Sequence, residues 1–225
     1  MRPPSILTLL SLLLVWGGCE PQSWESAMAS GHTAMQRGRY ADAESRFAVA
    51  VKKAESEFGL HHRQVAVALS GEAQALAAQG KYVEAEPIYL QALKIYQDAH
   101  GETHADVAAT LNNLGVLHRM HGQYAQAEQL LTRALAIKER LHDPDDPDIA
   151  LSLRNLGLLY LSQGKPQKAE PLYRRALAIR ETLGPAHPDL AQSIEDLAGV
   201  LRKLGRQEDA ASLDIRAQAI RAMRS

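Results

Sequence analysis

The chain has one cysteine among its 225 residues, and aromatic residues make up only 5% of it. A single cysteine excludes an intramolecular disulfide framework. The formal net charge of −1 argues against nucleic-acid binding, which usually requires a clear excess of basic residues. Alanine and leucine dominate the apolar residues, which are 46% of the chain. This composition favours closely packed helices over a β-sandwich.

The first residues differ in character from the rest of the chain. Arg2 gives a positive start, Ile6–Trp16 is an apolar run, and Gly17 and Gly18 follow it. A helix that spans a bilayer needs roughly 20 apolar residues, and this run is shorter. The layout predicts a cleaved export signal over residues 1–18, which takes no part in the mature fold.

Cys19 directly follows the two glycines, and this arrangement resembles the lipobox of bacterial lipoproteins. The resemblance implies lipidation of Cys19 and a short tether over residues 19–23. Trp16 stands where that motif usually has leucine. Glu20 replaces the aspartate that retains such proteins in the inner membrane, which favours an outer-membrane protein facing the periplasm. The alternative is an ordinary signal with a chance cysteine, which would give a periplasmic or secreted protein.

The remainder of the chain repeats itself. Residues 110–141 read TLNNLGVLHRMHGQYAQAEQLLTRALAIKERL, and residues 152–183 read SLRNLGLLYLSQGKPQKAEPLYRRALAIRETL. A marker glycine recurs at spacings of 42, 42, 42 and 41, as Gly38, Gly80, Gly122, Gly164 and Gly205. Self-similarity at such a period is typical of solenoids and related arrays.

Each unit has the pattern of two helices. In the third unit the first helix is predicted from about Asp106 to His121, because Leu111 and Leu114 begin an apolar face at helical spacing. Gly122 would end it as a C-cap glycine. The second helix is predicted from about Tyr124 to Leu141. Since Gly115 and Gly157 are unfavourable inside a helix, we expect close helix contacts to compensate for them.

The recurring L-x-x-L-G/A-x-x-Y, G-x-Y, A-E and A-L-x-I positions resemble the tetratricopeptide repeat, in its 42-residue kinesin-light-chain-like form. The resemblance implies an all-α, right-handed superhelical solenoid of five helix-turn-helix repeats with a concave groove. It covers a domain over residues 24–225. The predicted repeats are 24–65, 66–107, 108–149, 150–190 and 191–225.

The sequence contains no motif that predicts catalysis, a cofactor or a small-molecule substrate. His100 and His104 are four residues apart but are separated by a turn around Gly101, so no metal site is predicted. His118 occupies a position filled by apolar residues in other units and is predicted to lie in the core. The acidic stretch at 143–148 lacks the ligand spacing of a calcium loop and is predicted to be a connecting turn.

The resemblance also places certain side chains of each first helix in the groove. Asn113 and Asn155 match the asparagine that in this family hydrogen-bonds the backbone of a bound peptide. Arg119 and Arg154 could hold an acidic or C-terminal group. The alternative is that the asparagines bond within the protein and the arginines pair with its own carboxylates. The predicted groove residues are Asn112, Asn113, Val116, Arg119, Leu151, Arg154, Asn155, Leu158 and Arg202.

These features predict a non-catalytic scaffold at the cell envelope that binds a protein or peptide in its groove and reaches the membrane by a lipid anchor. One alternative is a structural lipoprotein that assembles through the solenoid ends or the convex face. Another is a soluble secreted repeat protein.

Overall fold

The computed structural model describes residues 23–184 and 187–223. The predicted signal, Cys19 and nearly all of the predicted tether therefore lie outside the described residues. The described part of the chain consists of α-helices and turns, with no β-strand. The helices are α1 Trp24–Gln36, α2 Tyr40–Phe58, α3 Arg63–Ala78, α4 Tyr82–His100, α5 Ala105–Met120, α6 Tyr124–Leu141, α7 Pro147–Ser162, α8 Pro166–Glu181, α9 Pro188–Lys203 and α10 Gln207–Ala222.

The marker glycines end the odd-numbered helices as predicted. Gly122 has φ of 80°, a left-handed conformation that costs little for glycine. Its N–H donates to the carbonyl of Arg119 at 3.1 Å, and the N–H of Gln123 donates to that of His118 at 2.8 Å. This pair of bonds is the Schellman motif, which satisfies carbonyl groups left free at a helix C-terminus. It turns the chain back so that α6 packs against α5.

The odd-numbered helices after α1 begin three residues before the repeat boundaries predicted at 66, 108, 150 and 191, and each is preceded by an N-cap side chain. His62, His104 and His187 each accept through Nδ1 the N–H of the residue two positions on, at 3.2–3.3 Å. Asp146 does the same through Oδ1 at 2.7 Å. Since these caps fix where each helix starts, the junctions between repeats share one geometry despite different sequences.

The helices form two layers along the stack. Odd-numbered neighbours contact one another, α1 with α3, α3 with α5 and α5 with α7, whereas the even-numbered neighbours make no comparably close contact in the described chain. Because the odd-numbered helices approach more closely, they line the concave side. This confirms the predicted all-α solenoid of helix pairs.

The core between the layers depends on large side chains from even-numbered helices that fill gaps left by glycines. Leu131 lies against Gly115 and Tyr173 against Gly157, and both large side chains are buried. Close helix contact therefore accompanies these mid-helix glycines, as the sequence predicted. None of the described helices is both long enough and apolar enough to span a lipid bilayer.

Candidate functional site

The concave side contains an open recess of about 470 Å³. Its walls come chiefly from the odd-numbered helices, and none of the lining residues is charged. Four of them are asparagine or glutamine, and most of the others are apolar. The lining residues are Met35, Tyr40, Gln74, Ala77, Ala78, Tyr89, Asn112, Asn113, Val116, Leu117, Met120, Leu151 and Asn155.

The predicted asparagines have different roles in this recess. Asn155 on α7 donates from Nδ2 to Oδ1 of Asn112 on α5 at 3.0 Å, and Asn112 is buried. Asn155 thus already bonds within the protein, across two repeats. The half-buried side chain of Asn113 makes no hydrogen bond to any described residue. Asn113 therefore has its amide available to a ligand, as an amide can both donate and accept.

Arg154 is paired within the protein. Its Nε donates to Oδ2 of Asp196 on α9, and Nε2 of Gln192 donates to the other carboxylate oxygen at 3.0 Å. The hydrogen bond to Asp196 raises the pKa of the Arg154 guanidinium. Arg154, Leu151 and Gln192 line a second recess of about 310 Å³, which has charged groups in its walls. Leu151 lines both recesses, so an apolar side chain separates a neutral region from a charged one.

The remaining predicted groove residues do not line the neutral recess, with the exception of Val116. Arg202 pairs with Asp214 of α10, and Leu158 packs against the core of the last helices. Arg119 has no carboxylate within ion-pair distance among the described residues, and its buried Nε has no hydrogen-bond partner there. Arg119 is therefore the predicted groove arginine that lacks a partner of its own.

The predicted groove residues left out eight others that line the recess, namely Met35, Tyr40, Gln74, Ala77, Ala78, Tyr89, Leu117 and Met120. Met35 lies two full periods before Arg119, so the repeat register could have found it. Tyr40 occupies the first position of an even-numbered helix, as Tyr82 and Tyr124 do. The sequence pattern did not indicate that this position reaches the concave side.

Other titratable groups in the described chain are perturbed for structural reasons. Burial raises the pKa of the Tyr89 phenol, and burial raises the pKa of the Glu72 carboxyl. His118 is buried and its Nδ1 lies 2.5 Å from Oε1 of Gln123, in agreement with the predicted core position. No nucleophile with an adjacent base stands out among these described groups.

The comparison with protein families agrees with this architecture. The tetratricopeptide repeat model matches residues 25–98, 65–140, 122–182 and 148–222, which together cover almost all of the described chain. The chain belongs to the tetratricopeptide repeat family. Repeats of this family generally mediate protein–protein interactions. A comparison with curated protein sequences gives no match.

Several solved tetratricopeptide structures resemble this one. BtubC (BKLC) from P. vanneervenii is 28% identical with a TM-score of 0.75, over 88% of this chain and 80% of that one. A variant of a putative kinesin light chain from Podospora anserina is 24% identical with a TM-score of 0.74, over 89% and 96%. The Rap conjugation gene regulator of plasmid pLS20, solved with the Phr* peptide, is 18% identical with a TM-score of 0.71, over 90% and 54%. The last two show similarity of fold alone.

Proposed function

We propose that the protein is a non-catalytic scaffold that holds an extended segment of a partner protein along its concave side. The observation that carries this proposal is the neutral recess with the unpaired amide of Asn113 in its wall. An extended peptide presents N–H and C=O groups that need partners when they leave water. Asn113 supplies both a donor and an acceptor for such groups.

The side chains in and near the recess determine which side chains of a partner segment can bind there. Met35, Val116 and Leu151 offer apolar surface, so uncharged and apolar peptide side chains fit there. Arg119 lies on the same helix as Asn113 and is a cation without an ion-pair partner in the described chain. An acidic side chain or a C-terminal carboxylate is therefore the charged group that we expect in the partner segment. The Rap regulator solved with the Phr* peptide supports peptide binding as a use of this fold.

We further propose that the protein acts at the bacterial envelope, with residues 1–18 as export signal and Cys19 as the lipidated residue at the outer membrane. The support comes from the sequence of this segment. A Cys19→Ser variant tests the anchor. We expect the wild-type protein in the membrane fraction and the variant in the soluble fraction. Equal membrane fractionation of the two would overturn lipidation as the anchor and leave the groove proposal untouched.

The groove proposal is tested by placing a photo-crosslinking amino acid at one position of each face. Leu151 lines the recess and is 41% exposed, whereas Val83 on the even-numbered helix α4 is 72% exposed and serves as the control. Crosslinking is carried out in cells, and the captured partner segment is identified by mass spectrometry. That segment is then made as a peptide, and its affinity is measured for the wild type and for Asn113→Ala.

We expect the partner to be captured from position 151 and not from position 83, and the peptide to bind Asn113→Ala about five- to tenfold more weakly, as a net loss of roughly 1 kcal/mol implies. Capture from position 83 alone would contradict the proposal. Equal affinity of the peptide for both proteins would show that Asn113 does not contact the ligand.

A further inference from the structure

The turn between α4 and α5 brings together three side chains that can bind a metal ion. His100 is the last residue of α4, His104 caps α5, and Asp106 lies in the first turn of α5. One ligand atom of each lies within 4.8 Å of the others, and this is the only such group of three in the described part of the chain. The turn around Gly101 does not keep the histidines apart. Their rings stack with centroids 4.1 Å apart.

The ligand atoms of His104 and Asp106 are already close to a coordinating arrangement. Nδ1 of His104 accepts the N–H of Asp106 at 3.2 Å, so this nitrogen carries a lone pair. It lies 3.6 Å from Oδ2 of Asp106. Two ligands of a tetrahedral metal ion with bonds of about 2.0–2.1 Å lie about 3.4 Å apart. His100 is exposed, and one of its ring nitrogens belongs to the group of ligand atoms that lie within 4.8 Å of one another.

Arg63 holds the carboxylate of Asp106 in place. Its Nε donates to Oδ2 at 2.8 Å and its Nη2 to Oδ1 at 3.1 Å. A carboxylate oxygen has a further lone pair after accepting one hydrogen bond. Ligand carboxylates in metal sites are commonly hydrogen-bonded by an outer residue that fixes their orientation. Arg63 is placed for that role.

The equivalent junctions of the solenoid show which part of this arrangement is structural. Phe58 stacks on His62 at 4.8 Å in the junction before, and Nδ1 of His142 lies 2.9 Å from Asp146 in the junction after. A side-chain contact at this place therefore holds each of these turns, whatever its chemistry. Three converging metal-binding groups occur at the α4–α5 junction, and this distinguishes it from its neighbours in the described chain.

We propose that His100, His104 and Asp106 form a site for a divalent transition-metal ion of the zinc class, with water completing the coordination. Two imidazole nitrogens and one carboxylate oxygen suit Zn²⁺, Co²⁺, Ni²⁺ or Cu²⁺, whereas Mg²⁺ and Ca²⁺ prefer sites made of oxygen alone. When the ion binds, Nδ1 of His104 coordinates the metal and no longer accepts the N–H of Asp106. A water molecule then accepts that N–H. The ion ties the end of α4 to the start of α5, and so the second repeat to the third.

The experiment is calorimetric titration of the purified full-length protein at neutral pH with Zn²⁺, and in parallel with Mg²⁺. Co²⁺ serves as the spectroscopic probe, since its absorption reports imidazole coordination. The decisive variant is His100→Phe, which recreates the Phe58–His62 stack of the preceding junction and so removes the ligand while keeping the contact. His104→Asn removes a second ligand and keeps an N-cap. His142→Phe is the matched control at the following junction.

We expect one equivalent of Zn²⁺ and no Mg²⁺ to bind to the wild type and to His142→Phe. Zinc should raise the melting temperature of both proteins, and its affinity should fall tenfold or more in His100→Phe and in His104→Asn. Circular dichroism checks that both variants fold. The proposal is overturned if the wild type binds no zinc, or if stoichiometric binding persists in folded His100→Phe, which would place the ion elsewhere.

Discussion

A glycine inside a helix costs backbone entropy, and in this chain several such glycines give space to a large neighbour. A Cβ added to Gly115 would lie 2.6 Å from Cγ of Leu131 and 3.3 Å from its backbone nitrogen. Cγ is the branch point of a buried side chain, so it has little freedom to move away. Gly199 on α9 differs, because a Cβ there would meet nothing within 4 Å.

This contrast gives a prediction with its own control. We expect Gly115→Ala to lower the free energy of unfolding by about 1–3 kcal/mol, because overpacking exceeds the gain in helix propensity. Gly199→Ala should leave it unchanged or raise it by up to about 1 kcal/mol. Urea denaturation of the three proteins measures both effects. Equal stability of Gly115→Ala and the wild type would mean that Leu131 can repack.

Asn113 and Asn155 occupy equivalent positions in neighbouring repeats, but we expect replacement of the first to weaken ligand binding and replacement of the second to lower stability. Asn155 donates to the buried Asn112, whereas Asn113 bonds to no described side chain. We expect Asn155→Ala to lower the free energy of unfolding by about 1 kcal/mol, because it leaves a buried acceptor unpaired. Asn113→Ala should change it by less than about 0.5 kcal/mol. Thermal and urea unfolding measure these values, and a larger loss in Asn113→Ala would show a structural role for that residue.

The sequence predicted which residues repeat but not which of them contact one another. Asn113 and Asn155 are equivalent by the 42-residue period, yet Asn155 bonds to Asn112. Arg154 and Asp196 are likewise paired across two repeats. Such contacts depend on the rotation between neighbouring repeats, which is a property of the packed stack and has no local sequence signal. The neutral recess follows from the same rotation.

At the scale of the helix, one glutamate position connects each repeat to the next. In every even-numbered helix except the last, it follows the alanine that lies five residues after the marker glycine, and its partner lies in the repeat that follows. Glu44 contacts Lys81 and Gln79, Glu86 contacts His118, Glu128 contacts Tyr160, and Glu170 contacts Arg206. The glutamate is the same in these four helices, whereas the residue that it contacts in the next repeat differs in chemistry from one repeat to another.

The pH dependence of Glu44 tests this connection. Hydrogen bonds from Lys81 and Gln79 lower the pKa of Glu44 below its usual 4.5. The folded state therefore gains stability from ionised Glu44 above that value and loses it as the pH falls through the folded pKa. We expect Glu44→Gln to be less stable than the wild type by about 0.5–1 kcal/mol at neutral pH, with the difference shrinking as the pH falls below 4.5 and through the lowered pKa of Glu44.

Urea denaturation at several pH values measures this difference, and Glu57→Gln is the control. Glu57 is exposed and forms no ion pair with a described residue, so its replacement should have little effect at any pH. A Glu44→Gln deficit that stays constant into acid would contradict an origin in the charge of Glu44.

The helices themselves were predicted well because their ends carry strong local signals. The third pair was predicted from about Asp106 to His121 and from about Tyr124 to Leu141, and α5 and α6 lie within one residue of those bounds. Gly122 and Tyr124 mark the turn between them. The starts of the odd-numbered helices carried a weaker signal, because histidine is an uncommon N-cap and its role at His62, His104 and His187 appears only in the structure.

For the whole molecule, the repeats form a continuous stack in which each pair rests on its neighbours. In α10 Ala211 occupies the position of the connecting glutamate, so this helix does not carry that contact group. Ile215 of α10 and Met223 directly after that helix are 69% and 70% exposed. The last described helix pair therefore differs from the preceding pairs in the charge at this position and in the exposure of its apolar side chains.

Buried tyrosines distributed along the stack predict how the whole fold responds to alkali. Burial raises the pKa of Tyr96 from 10 to about 12, and burial also raises the pKa values of Tyr89 and Tyr173. A phenol that stays neutral in the folded state contributes stability below pH 10, and this contribution is lost as the pH rises through the folded pKa. We expect the protein to lose stability between about pH 10 and pH 12.

Tyr96→Phe should shift the alkaline unfolding transition to higher pH, since one ionisation that favours unfolding is removed. Circular dichroism and phenolate absorbance, recorded together during alkaline titration, measure this, with the more exposed Tyr124→Phe as control. Full phenolate formation near pH 10 in a protein that remains folded would contradict the prediction, because the buried tyrosines of α4 and α8 would then ionise without opening the core.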